Sequence, residues 1–150
     1  MGLDLGGLLD LWSTPPAAGT DPAAPFRRWY ADPVRINGVE MSVAQLAERA
    51  ALLRAAFDPL ERRVLAVSEG EAGRVTVVFE LGGRHTGPLP TSAGELAASG
   101  RELRLRVVDL LVVEDGLVTE VWMAADELGA LAAQGLVSLG QPAAADGGWR

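Results

Sequence analysis

Between positions 101 and 126 the chain reads RELRLRVVDLLVVEDGLVTEVWMAAD. Apolar and polar residues alternate there, the period of a strand lying on a core. A tight-turn signal, Glu114-Asp115-Gly116, interrupts the alternation. The stretch therefore predicts two antiparallel strands, roughly 101–114 and 117–125. On the first, Leu103, Leu105, Val107, Asp109, Leu111 and Val113 share one face. A carboxylate in the middle of an apolar face is costly unless it is paired, protonated or lining a cavity. Asp109 is thus the first candidate for chemistry. The opposite face carries Arg104 and Arg106, then the apolar row Val108, Leu110 and Val112. The second strand ends in Trp122 and, four residues on, Asp126, a second acid at a strand end.

The same patterning orders the rest. Leu3, Leu5, Leu8, Leu9, Leu11 and Trp12 suggest a short apolar helix over 2–12, weakened by Gly6-Gly7. A Pro/Gly/Ala-rich connection follows over 13–24. Asp21-Pro22 opens a short helix toward Trp29 and Tyr30. Residues 32–38 read as a short strand with a turn, Val34 and Ile36 on one face and Arg35 and Asn37 on the other. Ser42 and Gln45 match a capping box, and Val43, Leu46, Ala47, Ala50, Leu53 and Phe57 recur at helical spacing behind it. Asp58-Pro59 stops that helix. Strands are expected over 61–69 and 74–86; on the latter Val75, Val77, Phe79, Leu81, Gly83 and His85 share a face. Residues 87–100 read as a loop with one helical turn at 94–98, 127–134 as a short helix, and 141–150 as a tail. Helices first and antiparallel strands afterwards predict an α+β fold: a curved antiparallel sheet wrapped around N-terminal helices, with a cavity beneath.

Composition narrows the chemistry. A length of 150 residues fits a single domain. The formal net charge of -7 argues against a nucleic-acid partner. No apolar run is long enough to cross a membrane, and the first residues lack a basic signal-peptide region, so the expected location is cytoplasmic. The chain has no Cys, and all 13 Lys+Arg residues are Arg. Disulfides, thiolate chemistry and lysine Schiff bases are thereby excluded. His85 is the one histidine, which rules out a multi-histidine metal site within one chain. Carboxylates, one imidazole, one tyrosine (Tyr30) and hydroxyls remain.

These residues, in this order, resemble a known family. The capped helix from Ser42 to Phe57 precedes the long strands. Arg84-His85-Thr86-Gly87 stands at a strand end, Asp109 in mid-strand before Glu114-Asp115-Gly116, and Trp122 before Asp126 and a short helix. Together they resemble the SnoaL-like polyketide cyclases, of the nuclear-transport-factor-two-like and ketosteroid-isomerase-like superfamily, over about 26–140. The resemblance implies a cone-shaped, cystatin-like α+β barrel. Residues 1–25 are atypical, since Pro15-Pro16 and the linker break the usual long first helix. The family's acid after the last strand's Trp is the catalytic acid/base, a role that falls on Asp126. The His of the His-Thr-Gly piece is a cavity residue, which falls on His85. Asp109 stands where some members have His.

The resemblance further implies a cofactor-independent, metal-free, aldol-type ring closure of a polyketide-like substrate in bacterial antibiotic biosynthesis. Catalytic candidates are Asp126, Asp109 and His85. Trp122, Asn37, Arg35, Tyr30, Phe79 and Val107 are candidates for the substrate wall. Related folds suggest two alternatives: epoxide hydrolysis or opening, and a ketosteroid-isomerase-like proton shift. A third is a non-catalytic small-molecule binding or dimerisation module. That last reading wins if Asp109, Asp126 and His85 do not converge in one cavity. The apolar row at Val108, Leu110 and Val112, away from the cavity, predicts a homodimer.

Overall fold

A computed structural model describes residues 2–140; the expected tail at 141–150 lies outside them. In chain order the elements are α1 (Leu5–Ser13), a 3-10 turn (Phe26–Arg28), β1 (Tyr30–Ile36), β2 (Val39–Met41), α2 (Val43–Ala56), β3 (Glu61–Glu69), β4 (Arg74–Arg84), β5 (Leu89–Thr91), β6 (Gly94–Leu96), β7 (Glu102–Glu114), β8 (Leu117–Ala125) and α3 (Glu127–Ala133). One curved sheet runs in the order β2-β1-β8-β7-β4-β3. The fold is α+β, as expected, but with two corrections. The sheet is mixed, because β1 pairs parallel to β8. It is also open, with β2 and β3 as free edges, so no barrel closes.

Local chemistry sets the elements. Asp115 and Gly116 both have positive φ, 51° and 79°, the geometry of a two-residue hairpin turn between β7 and β8. Asn37 and Gly38 do the same at 50° and 82°, and turn β1 back into β2, a strand the alternation did not signal. The capping box holds: Ser42 Oγ accepts from Gln45 N–H, and Gln45 Oε1 accepts from Ser42 N–H. Helix α1 forms despite its glycine pair, because Asp4 caps it by accepting from Gly7 N–H. A Cβ at Gly7 would come within 2.9 Å of the Trp29 ring, so the missing side chain lets α1 pack there. The helix expected after Pro22 is reduced to the 3-10 turn.

The helical turn expected at 94–98 is absent. Residues 89–96 instead form a small hairpin, β5 against β6, with Leu89 opposite Leu96. Thr91 fastens it: its hydroxyl donates to Gly94 C=O and accepts from Ala93 N–H. β4 stops at Arg84, short of the expected 86; His85 forms only an isolated bridge to Phe57.

Core residues fall into two clusters. One joins Phe26, Tyr30, Val34, Leu46 and Ala50 to Leu111, Val118 and Val121. The other joins Phe57, Val77, Phe79 and Leu81 to Leu103, Leu105 and Val107. α1 contributes Leu8 to the first and Leu9 to the second, and a cavity lies between them. The outer face of the sheet keeps an uncovered apolar row. Val108 is 39% exposed and Trp122 48%, with Leu110 and Val112 half-buried between them.

Candidate active site

The cavity encloses about 660 Å³, within the range of small-molecule sites. Its walls are the inner faces of β4, β7 and β8, and its cover comes from α1 and α2. Most of the lining is apolar, including Leu8, Leu9, Trp12, Phe79, Leu105 and Val107. The polar exceptions decide what it can do.

Asp109 is one of two carboxylates in the lining. β7 places it opposite Val77 of β4 and Met123 of β8, hydrocarbon on both sides. Its Oδ1 is buried without a hydrogen-bond partner among the described residues. Burial pushes its pKa up from 3.8 to about 6, partly offset by the charge of Arg62. A carboxyl poised there exchanges a proton near neutral pH.

Arg62 enters from β3, in register with inward-facing Leu81. Its Nη1 donates to Leu9 C=O at 2.6 Å and to Ser13 Oγ at 2.9 Å, holding the last turn of α1. The guanidinium also lies 5.2 Å from the Phe79 ring centroid. Tyr30 is buried, and its oxygen accepts from Trp12 Nε1–H at 2.9 Å. Desolvation is the main cause that raises its phenol pKa, with the Asp109 charge adding to it, so the hydroxyl stays protonated.

Five of the residues singled out from the sequence line this cavity: Asp109, Tyr30, Asn37, Phe79 and Val107. Asn37 does so at the rim, where its Oδ1 accepts from Met123 N–H and ties the β1 turn to β8. The other four are placed elsewhere. Asp126 is exposed and caps α3, accepting from Gly129 N–H at 2.8 Å. Its neighbours Ala125 and Glu127 line the cavity instead. His85 is fully buried against Phe57, behind the cavity wall. Its Nδ1 accepts from Ser99 N–H, leaving Nε2 buried without a partner. Thr86 and Gly87 donate to Ala56 C=O, and a Cβ at Gly87 would strike Ala55 C=O. The His-Thr-Gly piece therefore fastens a strand end to the end of α2. Trp122 points outward and donates to Glu120, since strand parity gives the inner face of β8 to Val121, Met123 and Ala125. Arg35 is exposed on β1 and does not line the cavity.

Sequence reasoning missed Arg62, Trp12 and Glu127. Arg62 sits one position inside β3, a strand whose two faces both mix apolar and polar residues and whose register shifts between Val64 and Ala66, so parity gave no signal there. Glu127 lies at the mouth, its carboxylate accepting from the Ser92 N–H and hydroxyl.

The model of the SnoaL-like polyketide cyclase family matches residues 20–134. The chain belongs to that family. Solved structures agree on the fold. A SnoaL-like polyketide cyclase from Agrobacterium tumefaciens superimposes with a TM-score of 0.67 at 14% identity, covering 89% of this chain and 98% of that one. TsrD from Streptomyces laurentii gives 0.67 at 20% identity, covering 90% and 99%. IdmH from Streptomyces antibioticus gives 0.66 at 17% identity, covering 87% and 95%. At these identities the likeness concerns the fold. No curated protein matches the chain. Among the described residues, no group of His, Asp and Glu is placed to hold a metal ion, and no helix is long and apolar enough to cross a membrane.

Proposed function

We propose that this SnoaL-like protein closes a ring in a polyketide-like substrate by cofactor-independent acid/base catalysis, with Asp109 as the proton carrier. One observation carries the reading: a carboxyl with a pKa of about 6 and no hydrogen-bond partner for Oδ1 stands on the wall of a largely apolar cavity. A single such group can serve both halves of an aldol closure. As carboxylate it removes a carbon-bound proton next to a carbonyl. As carboxylic acid it returns that proton to the new alkoxide. The cavity walls fold the chain so that the two carbons meet, an entropic contribution that can exceed the acid/base one. Opening an epoxide would call for a second acid beside Asp109. Glu127, the other carboxylate of the cavity lining, is held at the mouth by Ser92.

The test is a mass-spectrometric assay of the purified protein against linear and partly cyclised polyketones. Turnover by the wild type, lost in Asp109→Asn and kept in Asp126→Asn, supports the reading. Equal turnover by Asp109→Asn contradicts it. Asp126 and His85 do not join Asp109 in the cavity, which is the arrangement expected of a small-molecule binding module; against that reading stands Asp109 alone, a carboxyl able to exchange a proton within the cavity. Tight binding of the same compounds without any conversion would select the binding module.

A further inference from the structure

Three polar groups of the cavity hold hydrogen-bonding capacity in reserve. The Tyr30 oxygen accepts from Trp12, and its hydroxyl hydrogen meets no acceptor among the described residues. Arg62 spends Nη1 on α1; its Nε is buried without a partner, and no hydrogen bond of Nη2 is found among the described residues. Asp109 accepts nothing through Oδ1. All three line one cavity and lie close enough for their charges to act on one another. Neither donor bonds to the acid. Buried donors left idle are a cost to the fold, and such exceptions call for an explanation.

We infer that Tyr30 and Arg62 form an oxyanion-binding pair beside Asp109, so that the cavity takes ligands whose carbonyl oxygen becomes an enolate. This inference rests on the acid/base reading of the cavity and names the chemistry of what it binds. The Asp109 carboxylate removes a proton from the carbon next to the carbonyl. The C–H electron pair becomes a C=C bond, and the carbonyl π pair moves onto oxygen. That oxygen gains its charge facing the Tyr30 O–H and an Arg62 N–H, donors fixed in place before the reaction. The enolate carbon then bonds to a second carbonyl carbon, whose oxygen takes the proton back from Asp109. The product is an isomer of the substrate, and no oxidant or co-reactant is consumed.

The pair is held by its surroundings. The hydrogen bond that Tyr30 accepts from Trp12 polarises the hydroxyl and fixes its direction. Phe26 stacks on the Tyr30 ring at 6.2 Å. Arg62 is fixed by α1 on one side and by Phe79 on the other. Trp12 is accordingly a positioning residue, while Tyr30 and Arg62 would touch the ligand.

Naphthol tests this without a known substrate, because its naphtholate form resembles an enolate and has its own absorption and fluorescence. At neutral pH, where free naphthol is uncharged, Asp109→Asn mimics the protonated acid and should bind it as naphtholate. Adding Tyr30→Phe, which keeps the ring and its packing, should weaken that binding about 10- to 100-fold and return the bound ligand to the neutral spectrum. Arg62→Met should act in the same direction, but it also releases the last turn of α1, so Tyr30→Phe is the deciding variant. Phenylnaphthylamine, which has no oxygen, reports cavity occupancy and should bind Asp109→Asn alike with and without the Tyr30→Phe change. Neutral naphthol bound by Asp109→Asn, with phenylnaphthylamine bound normally, overturns the oxyanion pair and leaves the acid/base reading standing. Failure of phenylnaphthylamine to bind the wild type overturns both.

Discussion

Arg62 and Asp109 line the same cavity yet form no ion pair. Arg62 gives its Nη1 to Leu9 and Ser13 of α1 and leaves Asp109 to be governed by burial. A direct ion pair would hold the carboxylate ionised and far less basic. The observed arrangement keeps a cation near enough to ease ionisation without fixing it.

That relationship sets a pH dependence of stability. The Asp109 pKa is raised in the folded state, so between about 6 and 3.8 the folded protein holds more protons than the unfolded chain. Stability therefore falls as pH rises through that window and stays lower above it. Arg62 and Tyr30 face Asp109, and Asp10 acts on Arg62 from α1. Asp109→Asn should stabilise the protein by up to about 3 kcal/mol above neutral pH and flatten the dependence. Urea unfolding at a series of pH values checks this; equal slopes for both proteins would contradict it.

Arg62→Met should loosen α1. Two hydrogen bonds to its last turn disappear, at a cost of roughly 1–3 kcal/mol. The Asp109 midpoint should also move upward, because its nearby cation is gone. Hydrogen exchange of the α1 amides reads the first effect and a carboxyl titration the second. Faster exchange spread evenly over the whole molecule would argue against a local latch.

Asp126 separates a cap from a catalyst. Asp126→Ala should cost about 1 kcal/mol through loss of the α3 cap, and Asp126→Asn close to nothing. Because Asp126 stands outside the cavity, neither substitution should change turnover beyond what folding explains. A large loss in the well-folded Asp126→Asn protein would return the acid/base role to Asp126.

We propose that a second copy of this chain covers the outer face of the sheet. Val78, Val108, Leu110 and Trp122 form a contiguous apolar patch across β4, β7 and β8. Around it stand Arg35, Arg74 and Arg106 with Glu80 and Glu120, so a two-fold partner meets opposite charge at the rim. Light scattering should give a dimer for the wild type and a monomer for Val108→Glu. A monomeric wild type at micromolar concentration would contradict the proposal.

The fold was legible where one rule acts alone. Strict alternation marked β7 and β8, turn chemistry marked Asp115-Gly116, and the capping box marked α2. Parity also puts Asp109 on the inner face. At Trp122 and Asp126 the family position and the parity of the strand disagree, and parity prevails: Trp122 alternates with the inward Val121 and Met123. His85 has the inward parity of Phe79, but β4 ends at Arg84 and the chain then turns to pack on Phe57. Arg62 was hidden because its meaning depends on α1, 53 residues earlier at Leu9, whose carbonyl it holds. The parallel pairing of β1 with β8 is a long-range contact that no local pattern encodes.

The central claim is that Asp109 carries a proton in an apolar cavity. A carboxyl-carbon NMR titration tests it most directly, with the Asp109 resonance assigned by its absence in Asp109→Asn. The expected midpoint is near 6, shifted when an enolate mimic occupies the cavity. A midpoint at the ordinary 3.8, unmoved by ligand, would contradict it.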